Sequence, residues 1–441
     1  LSPVAETTSE QFPIDLPTAL QLAGANNLQI ALARQRVCEA IAKRNGAEAQ
    51  WIPSLVAGAV YSHHDGRVQN TDGTMIDVER NARFVGGGPN LGAFPLTGPG
   101  GPPARLALGL PLADVLYAPL AERQMVSAAQ AASVATLNDT LLQVAVAYFD
   151  VVRAQGQLTI ADQAILNATE LERLVVSRVK AGTAPPADEL RANVELAERQ
   201  RQRMAAQQSL QVASAELAQL LRLDPSTTLY AMEDANSRID LVDMDQPLEE
   251  LIAQGMATRP ELAQYRAVAQ ATIERYQQER KRPWLPTAQV GFSAGGMGGG
   301  VGTSSDGLEG RTDFDAALVW ELRNLGFGNR ALQQERWSRQ RQAEITVEQL
   351  VDSISAQIVT AYYQAMSARD QLESARAQVE AAAEAVPLNF KGVLGGDLRA
   401  IEAQQSIQDL ALAQDRYLNS IVELNQAQCQ LLRSIGTTPM K

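Results

Sequence analysis

The sequence predicts a mainly α-helical chain of two tandem repeats, each with two β-strands and very long coiled-coil helices, the strands suited to a membrane β-barrel. Three observations carry this expectation. An internal repeat spans nearly the whole chain, heptad stretches run far beyond the length of a globular helix, and short strands carry one apolar face.

The repeat fixes the organisation. Trp51-Ile52-Pro53-Ser54 recurs as Trp284-Leu285-Pro286-Thr287. Ala147-Tyr148-Phe149 with Leu158 recurs 214 positions on as Ala361-Tyr362-Tyr363 with Leu372. Leu220-Leu221-Arg222 recurs 211 positions on as Leu431-Leu432-Arg433, and that offset also pairs Lys180 with Lys391 and Ala192 with Ala403. Chance gives one such match. Four in the same order give two halves, 16–230 and 247–437, after an extended segment 1–15 and joined by a linker 231–246.

Each half reads alike. Helices within 16–50 and 247–282 stop at Pro53 and Pro286. Strands follow at 286–295 and 312–321, where Ala288, Val290, Phe292 and Ala294 alternate with Gln289, Gly291 and Ser293. Phe314, Ala316, Leu318 and Trp320 likewise alternate with Asp313, Asp315 and Glu321. In the first half the strands are 54–63 and 104–113, the latter with Leu106, Leu108 and Leu110 on one face. Gly/Pro-rich stretches 65–103 and 296–311 read as loops, and Gly-Gly-Met-Gly-Gly-Gly (295–300) reads as flexible.

Helices 115–180 and 329–389 come next. Their apolar residues step by four and three: Leu137, Leu141, Val144, Tyr148, Val151 in one, and Val347, Val351, Ile354, Ile358, Ala361 in the other. Some 65 residues at ~1.5 Å each make a rod of roughly 100 Å. Gly182 with Pro185-Pro186 ends the first rod, and Gly392, Gly395 and Gly396 end the second. Helices 186–222 and 397–434 return.

Composition narrows the function classes. The 441 residues carry 38 basic and 50 acidic side chains, a net charge of −12, which argues against a nucleic-acid partner. Two cysteines and two histidines exclude a structural metal site or a disulfide scaffold, and Cys38 and Cys429 both read as buried thiols. No apolar run reaches the ~18 residues of a membrane helix. The phosphate-loop, nucleophile-elbow and zinc-protease motifs are missing, so the chain reads as a non-enzyme without cofactor. Glu279-Arg280-Lys281-Arg282 reads as a solvated helix end. Leu1-Ser2-Pro3 has neither a basic nor an apolar leader region, so a signal peptide is expected to be absent from this chain.

Four strands cannot close a barrel, and an open edge is forbidden in lipid, so several copies must pool their strands. With this order of elements given twice, the chain resembles the TolC-like outer-membrane efflux proteins, the outer membrane factor family. Leu16-Pro17-Thr18-Ala19-Leu20 with Asn26-Asn27 is similar to the family's opening helix, and Pro247-Leu248 with Arg259-Pro260-Glu261-Leu262 is its second copy. Leu55 to Tyr61, Lys180-Ala181-Gly182 with Leu190-Arg191-Ala192, and Ile401-Glu402-Ala403-Gln404 resemble the first strand, the tip turn and the opening of the last helix. The likeness covers 16–435.

The resemblance implies a homotrimer with a twelve-stranded barrel in the outer membrane of a Gram-negative-type bacterium. It also implies a periplasmic α-helical barrel and a closable tip. A periplasmic adaptor and an inner-membrane pump are the implied partners. Leu106, Leu108, Val290, Phe292, Ala316, Leu318 and Trp320 are then expected to face lipid, and Gln289, Ser293, Asp313, Asp315 and Glu321 the lumen. Asp397, Arg399 and Glu402 are the gate candidates, against the alternative of ordinary solvated residues near a helix N-terminus. Lys180, Gly182, Thr183, Asp188, Arg191, Lys391, Gly392, Val393 and Leu394 are the adaptor-contacting candidates. Matching the halves at 211 sets Asp188 opposite Arg399 and Arg191 opposite Glu402. The rival to a channel is a soluble coiled-coil scaffold.

Overall fold

The computed structural model describes residues 11–91, 94–96, 105–107, 110–302 and 307–438. The elements are β1 (Gln11–Ile14), α1 (Leu16–Asn26), α2 (Leu28–Glu48), β2 (Ser54–Gln69), β3 (Met75–Leu91), β4 (Phe94–Leu96), β5 (Arg105–Ala107), β6 (Leu110–Pro111), α3 (Leu112–Lys180), α4 (Pro186–Leu221), β7 (Thr228–Ala231), α5 (Leu248–Thr258), α6 (Pro260–Lys281), β8 (Thr287–Val301), β9 (Glu309–Val319), α7 (Phe327–Gly395) and α8 (Ala400–Ser434). No described helix is long and apolar enough to cross a membrane.

Two compact units emerge, and they do not follow the sequence repeats. One holds Leu1–Gln35, Ala131–Leu262 and Gln349–Lys441; the other holds Arg36–Gln130 and Ala263–Glu348. Each draws on both halves, because the division falls inside α2, α3, α6 and α7.

In the first unit, α3 and α7 carry the heptad residues inward. Leu141, Val144, Tyr148 and Val151 are buried with Leu217, Leu221 and Leu229, and Ile354, Ile358, Ala361 and Ala365 with Leu251, Leu262 and Leu431. Small residues let the helices approach: a Cβ on Gly156 would meet Leu418 Cδ2 at 2.6 Å. β1 pairs in parallel with β7, joining the start of the chain to the end of the first half. Of the two cysteines, Cys429 is buried and its thiol is pushed up to about 12 by loss of solvent, but Cys38 is exposed. Position 38 lies on the outer side of α2, so burial there was misjudged.

The segment 231–246 is less free than a linker. Two buried amides of α8 bind its backbone. Asn425 accepts from the Ile239 N–H at 3.1 Å and donates to Ser237 O at 3.1 Å. Gln428 accepts from the Leu241 N–H at 2.7 Å and donates to Ile239 O at 2.7 Å. These side chains substitute for a neighbouring strand. In the first half Ser214 acts similarly, accepting from the Leu229 N–H and donating to Thr227 O.

In the second unit four long strands form one sheet in the order β2-β3-β8-β9, antiparallel throughout. The count of four per chain agrees with the sequence reading, but their identity does not. The expected loop 65–103 contains β3, which pairs along the whole of β2 through a turn at Asn70-Thr71-Asp72-Gly73-Thr74. Gly73 has φ 85° and Asp72 accepts from the Thr74 N–H at 2.9 Å. The expected strand 104–113 shrinks to β5 and β6, and β6 pairs with Ala288 and Thr287 at the start of β8. The expected loop 296–311 is largely strand, since β8 runs to Val301 and β9 starts at Glu309. The glycine run survives as strand because its neighbours come too close for side chains. A Cβ on Gly86 would meet Ala294 O at 2.5 Å and Phe84 Cζ at 2.7 Å. The buried Phe84 ring covers these glycines.

The run Glu279 to Arg282 is solvated only in part: Arg280 and Lys281 are exposed, but Glu279 and Arg282 are not. Glu279 is buried, and Arg282 bonds Glu279 at 2.9 Å and both oxygens of Asp114. Arg275 meets Glu122, so α6 is tied to α3 twice.

Gln428→Ala should unfold at lower temperature in detergent than the parent, because it orphans buried backbone groups at about 1–3 kcal/mol each. Thermal denaturation followed by circular dichroism checks this. Gln404→Ala, on the same helix, should leave the midpoint unchanged.

Candidate functional site: the amphipathic sheet and the two helical turns

Strand register decides which side chains share a face. Val290 pairs with Ala316, Phe292 with Phe314 and Ala288 with Leu318. Gln289 pairs with Ala317 and Ser293 with Asp313, on the other face. The pattern continues into the first half, where Leu55, Ala57, Ala59 and Tyr61 pair with Pro89, Gly87, Val85 and Arg83. Val85 pairs with Gly296, and Gly87 with Ala294, so Leu55, Tyr61, Val85, Val290, Phe292, Phe314 and Leu318 share one exposed face, while Val60, Phe84 and Met297 pair on the other. Beyond Tyr61 that face turns polar, with His63 opposite Asn81, Asp65 opposite Glu79, and Arg67 bonded to Asp77 at 3.0 Å. The apolar face thus runs from Ala288 and Leu318 to the level of Tyr61, about eleven residues, roughly 37 Å along the strands at ~3.4 Å per residue.

Val290, Phe292, Ala316, Leu318 and Trp320 are exposed in the single chain. Gln289, Ser293 and Asp313 are half-buried, and Asp313 bonds Arg311 at 2.8 Å. Glu321 lies past the end of β9 and is exposed. Leu108 lies outside the described residues, and the side chains of Leu106 and Asp315 do too.

Both helical hairpins turn in the same way, through one left-handed glycine. Gly182 has φ 72° and Gly396 has φ 85°. The Thr183 N–H bonds Arg178 O at 2.9 Å, and the Asp397 N–H bonds Gly392 O at 3.0 Å. The turns therefore match 214 positions apart, not 211. Asp188 then corresponds to Glu402, and Pro185 to Arg399. The expected opposition of Asp188 to Arg399 and of Arg191 to Glu402 gives way to local bonding. Arg191 bonds Asp188 one turn back at 3.3 Å, and the Glu402 carboxylate accepts from the Arg399 backbone N–H, capping α8. Asp397 is exposed between the helices.

The second turn also lies later than expected. α7 continues past Pro387 and Gly392 to Gly395, and α8 starts at Ala400 rather than 397. Burial pulls the helix on. Val393 is buried with Leu171, Leu174, Val175, Ala403 and Ile407, and Phe390 and Leu398 pack on them. Gly392 leaves room for Leu398, whose Cδ1 stands 2.5 Å from where a Cβ would be. Lys391, Gly392, Val393 and Leu394 are therefore helical, with Leu394 and Lys391 exposed and Val393 withdrawn from any surface. Lys180, Gly182 and Thr183 are exposed at the first turn.

Arg178 joins the two turns. One guanidinium nitrogen donates to Val393 O, and the other to Thr183 O at 3.3 Å. Both carbonyls lie at or beyond a helix C-terminus, where the backbone dipole favours a cation. Sequence reading passed over Arg178 because it sits among ordinary helix-end charges. Its signal is its place four residues before Gly182, the left-handed glycine of the first turn.

No protein-family model and no curated protein matches the chain. Solved structures do. The outer-membrane channel OprN superposes with a TM-score of 0.78 at 17% identity, over 97% of this chain and 91% of that one. CusC, described as forming a transmembrane channel, gives 0.76 at 17% identity over 99% and 96%. The chain has the fold of outer-membrane channels. The Campylobacter jejuni CmeC outer membrane channel adds a TM-score of 0.78 at 14% identity, over 96% of this chain and 85% of that one. The TolC-like fold expected from the order of elements is thus the fold found.

Arg178→Ala should speed amide hydrogen exchange across 390–399, since its guanidinium holds the last turn of α7. Exchange across 186–222 should stay unchanged. Equal rates in parent and variant at 390–399 would remove Arg178 from this role.

Proposed function

We propose that the chain is the outer-membrane channel of a tripartite efflux or secretion system. It acts as a passive homotrimeric conduit. Substrate enters from an inner-membrane pump through a periplasmic adaptor, and no bond is made or broken. The observation that carries this reading is the open sheet of β2, β3, β8 and β9 with one apolar face, on a chain with an outer-membrane channel fold. Among the described residues β2 pairs only with β3, and no strand lies beyond β9. Two free edges and an apolar band suit neither water nor a lone chain in lipid. Three copies give a closed barrel of twelve strands, within the even-numbered range of such barrels. A soluble scaffold would leave the same face and edges in water, so it is disfavoured.

In this reading Val290, Phe292, Ala316, Leu318 and Trp320 meet lipid, joined by Leu55, Tyr61 and Phe314, while Gln289, Ser293 and Asp313 line the lumen. Leu318→Arg places a charge on the lipid face, at a cost that grows toward the midplane, and should reduce assembled trimer. Gln289→Arg should assemble normally. Crosslinking of purified membranes separates the two, and equal loss would mean the faces are reversed.

The gate in this reading is the pair of helical turns, with Arg178 holding them together. Asp397, Arg399 and Glu402 repeat three times about the axis, and such rings tune the passage of ions. Lys180, Thr183, Asp188, Arg191, Lys391 and Leu394 offer the adaptor its contacts. Single-channel recording in planar bilayers tests the reading. Arg178→Ala should raise conductance. Channels of parental conductance from this variant would place closure elsewhere, and an absence of any channel from the parent chain would overturn the function.

A further inference from the structure

The two repeats pass from strand to long helix in different ways. In the first, Leu110 is buried, β6 pairs with β8, and α3 starts at once at Leu112. In the second, residues 320–326 intervene between β9 and α7. Three of them in succession are left-handed: Asn324 (φ 51°, ψ 47°), Leu325 (φ 57°, ψ 28°) and Gly326 (φ 94°).

A leucine in this region is an outlier and persists only where its surroundings impose it. Here they do. The buried Asn329 side chain accepts from the Arg323 N–H at 2.8 Å, and the Phe327 N–H reaches the carbonyls of Arg323 and Asn324. Glu321 and Arg323 neutralise each other at 3.3 Å.

The product of this strain is an apolar projection. Leu325 is 87% exposed, Phe327 73% and Leu322 61%. A soluble surface gains nothing from a strained turn that holds leucine in water. The projection continues the apolar face of β9 through Leu318 and Trp320. The Trp320 indole N–H donates to Trp284 O at 3.4 Å, and Trp284 is itself exposed. Indoles of this kind settle at a membrane–water boundary, with the ring in the apolar layer and the N–H toward polar groups.

We propose that this turn is a lipid-seated wedge. Leu322, Leu325 and Phe327 enter the boundary of the bilayer leaflet next to the sheet, and Trp284 and Trp320 lie at headgroup level. The occupant of the patch is phospholipid. The inference rests on the reading that the Leu318 face meets lipid, and extends it past the last strand residue. It gives the second repeat an anchor that the first lacks.

The test uses the full chain with Cys38→Ser, leaving the buried Cys429. A bimane label is placed at Leu325→Cys or, in a parallel sample, at Leu318→Cys. Both are reconstituted as trimers into phosphatidylethanolamine/phosphatidylglycerol vesicles with or without brominated acyl chains. Expected is loss of emission on bromination at both positions, with iodide in the water quenching neither. Bromolipid quenching at 318 with iodide quenching at 325 would overturn the wedge. So would shielding of 325 from both quenchers, which would seat it against a neighbouring copy. Absence of bromolipid quenching at 318 would bring down the lipid-face reading itself, and the wedge with it.

Discussion

Everything in this protein depends on what becomes of the two outer edges of one four-stranded sheet. A β-strand edge is a row of unpaired N–H and C=O groups, tolerable in water and costly in hydrocarbon. The same strands carry an apolar band on one face, which is costly in water. No single chain resolves both demands. The proposed ring of copies would resolve them together, each edge pairing with the next and the apolar faces turned outward. The glycine-rich stretch of β8 serves this end, because the close approach of neighbouring backbones at Gly86 and Gly295 leaves no room for side chains.

The helical unit obeys a different constraint. Its heptad residues are largely alanine and branched aliphatics, so helices lie close together and little side-chain volume separates them. Some polar groups at the interior are tied into networks. Arg433 bonds both Asp139 and Glu261, and Arg259 bonds Glu261 and Gln357. Burial, followed by the nearby Asp139, holds the Glu261 carboxyl above its ordinary range, and Arg259 and Arg433 both pair with it. The packing of this unit is thus set by paired charges and amide bonds as well as by apolar contact.

Much of this was legible in the sequence. The helices were visible because heptad spacing persists over dozens of residues, and the four-strand count because Val290 to Ala294 and Phe314 to Trp320 alternate. β3 was hidden. Its residues Met75 to Leu91 mix charge, glycine and proline, since much of the strand lies beyond the apolar band or faces inward. The glycine run was misread because glycine propensity reports an isolated strand, whereas here packing decides. Of the turn residues, the left-handed Gly182 was recognisable beside its prolines. The second turn was set three residues early, because the burial of Val393, with Phe390 packed on the same cluster, carries α7 past Pro387 and Gly392, residues that usually end a helix. Arg178 left only its spacing to Gly182, since its partners are main-chain oxygens that no pattern of side chains reveals.

The amide pair Asn425 and Gln428 carries a consequence for the order in which the molecule is made. The backbone that they bind, Ser237 to Leu241, lies in mid-chain, while the amides belong to the final helix. A polypeptide leaves the ribosome amino terminus first. The central segment therefore makes these four hydrogen bonds only once α8 is in place. A chain cut short before α8 leaves those backbone groups without them, so the middle of the protein is completed by residues nearly two hundred positions away.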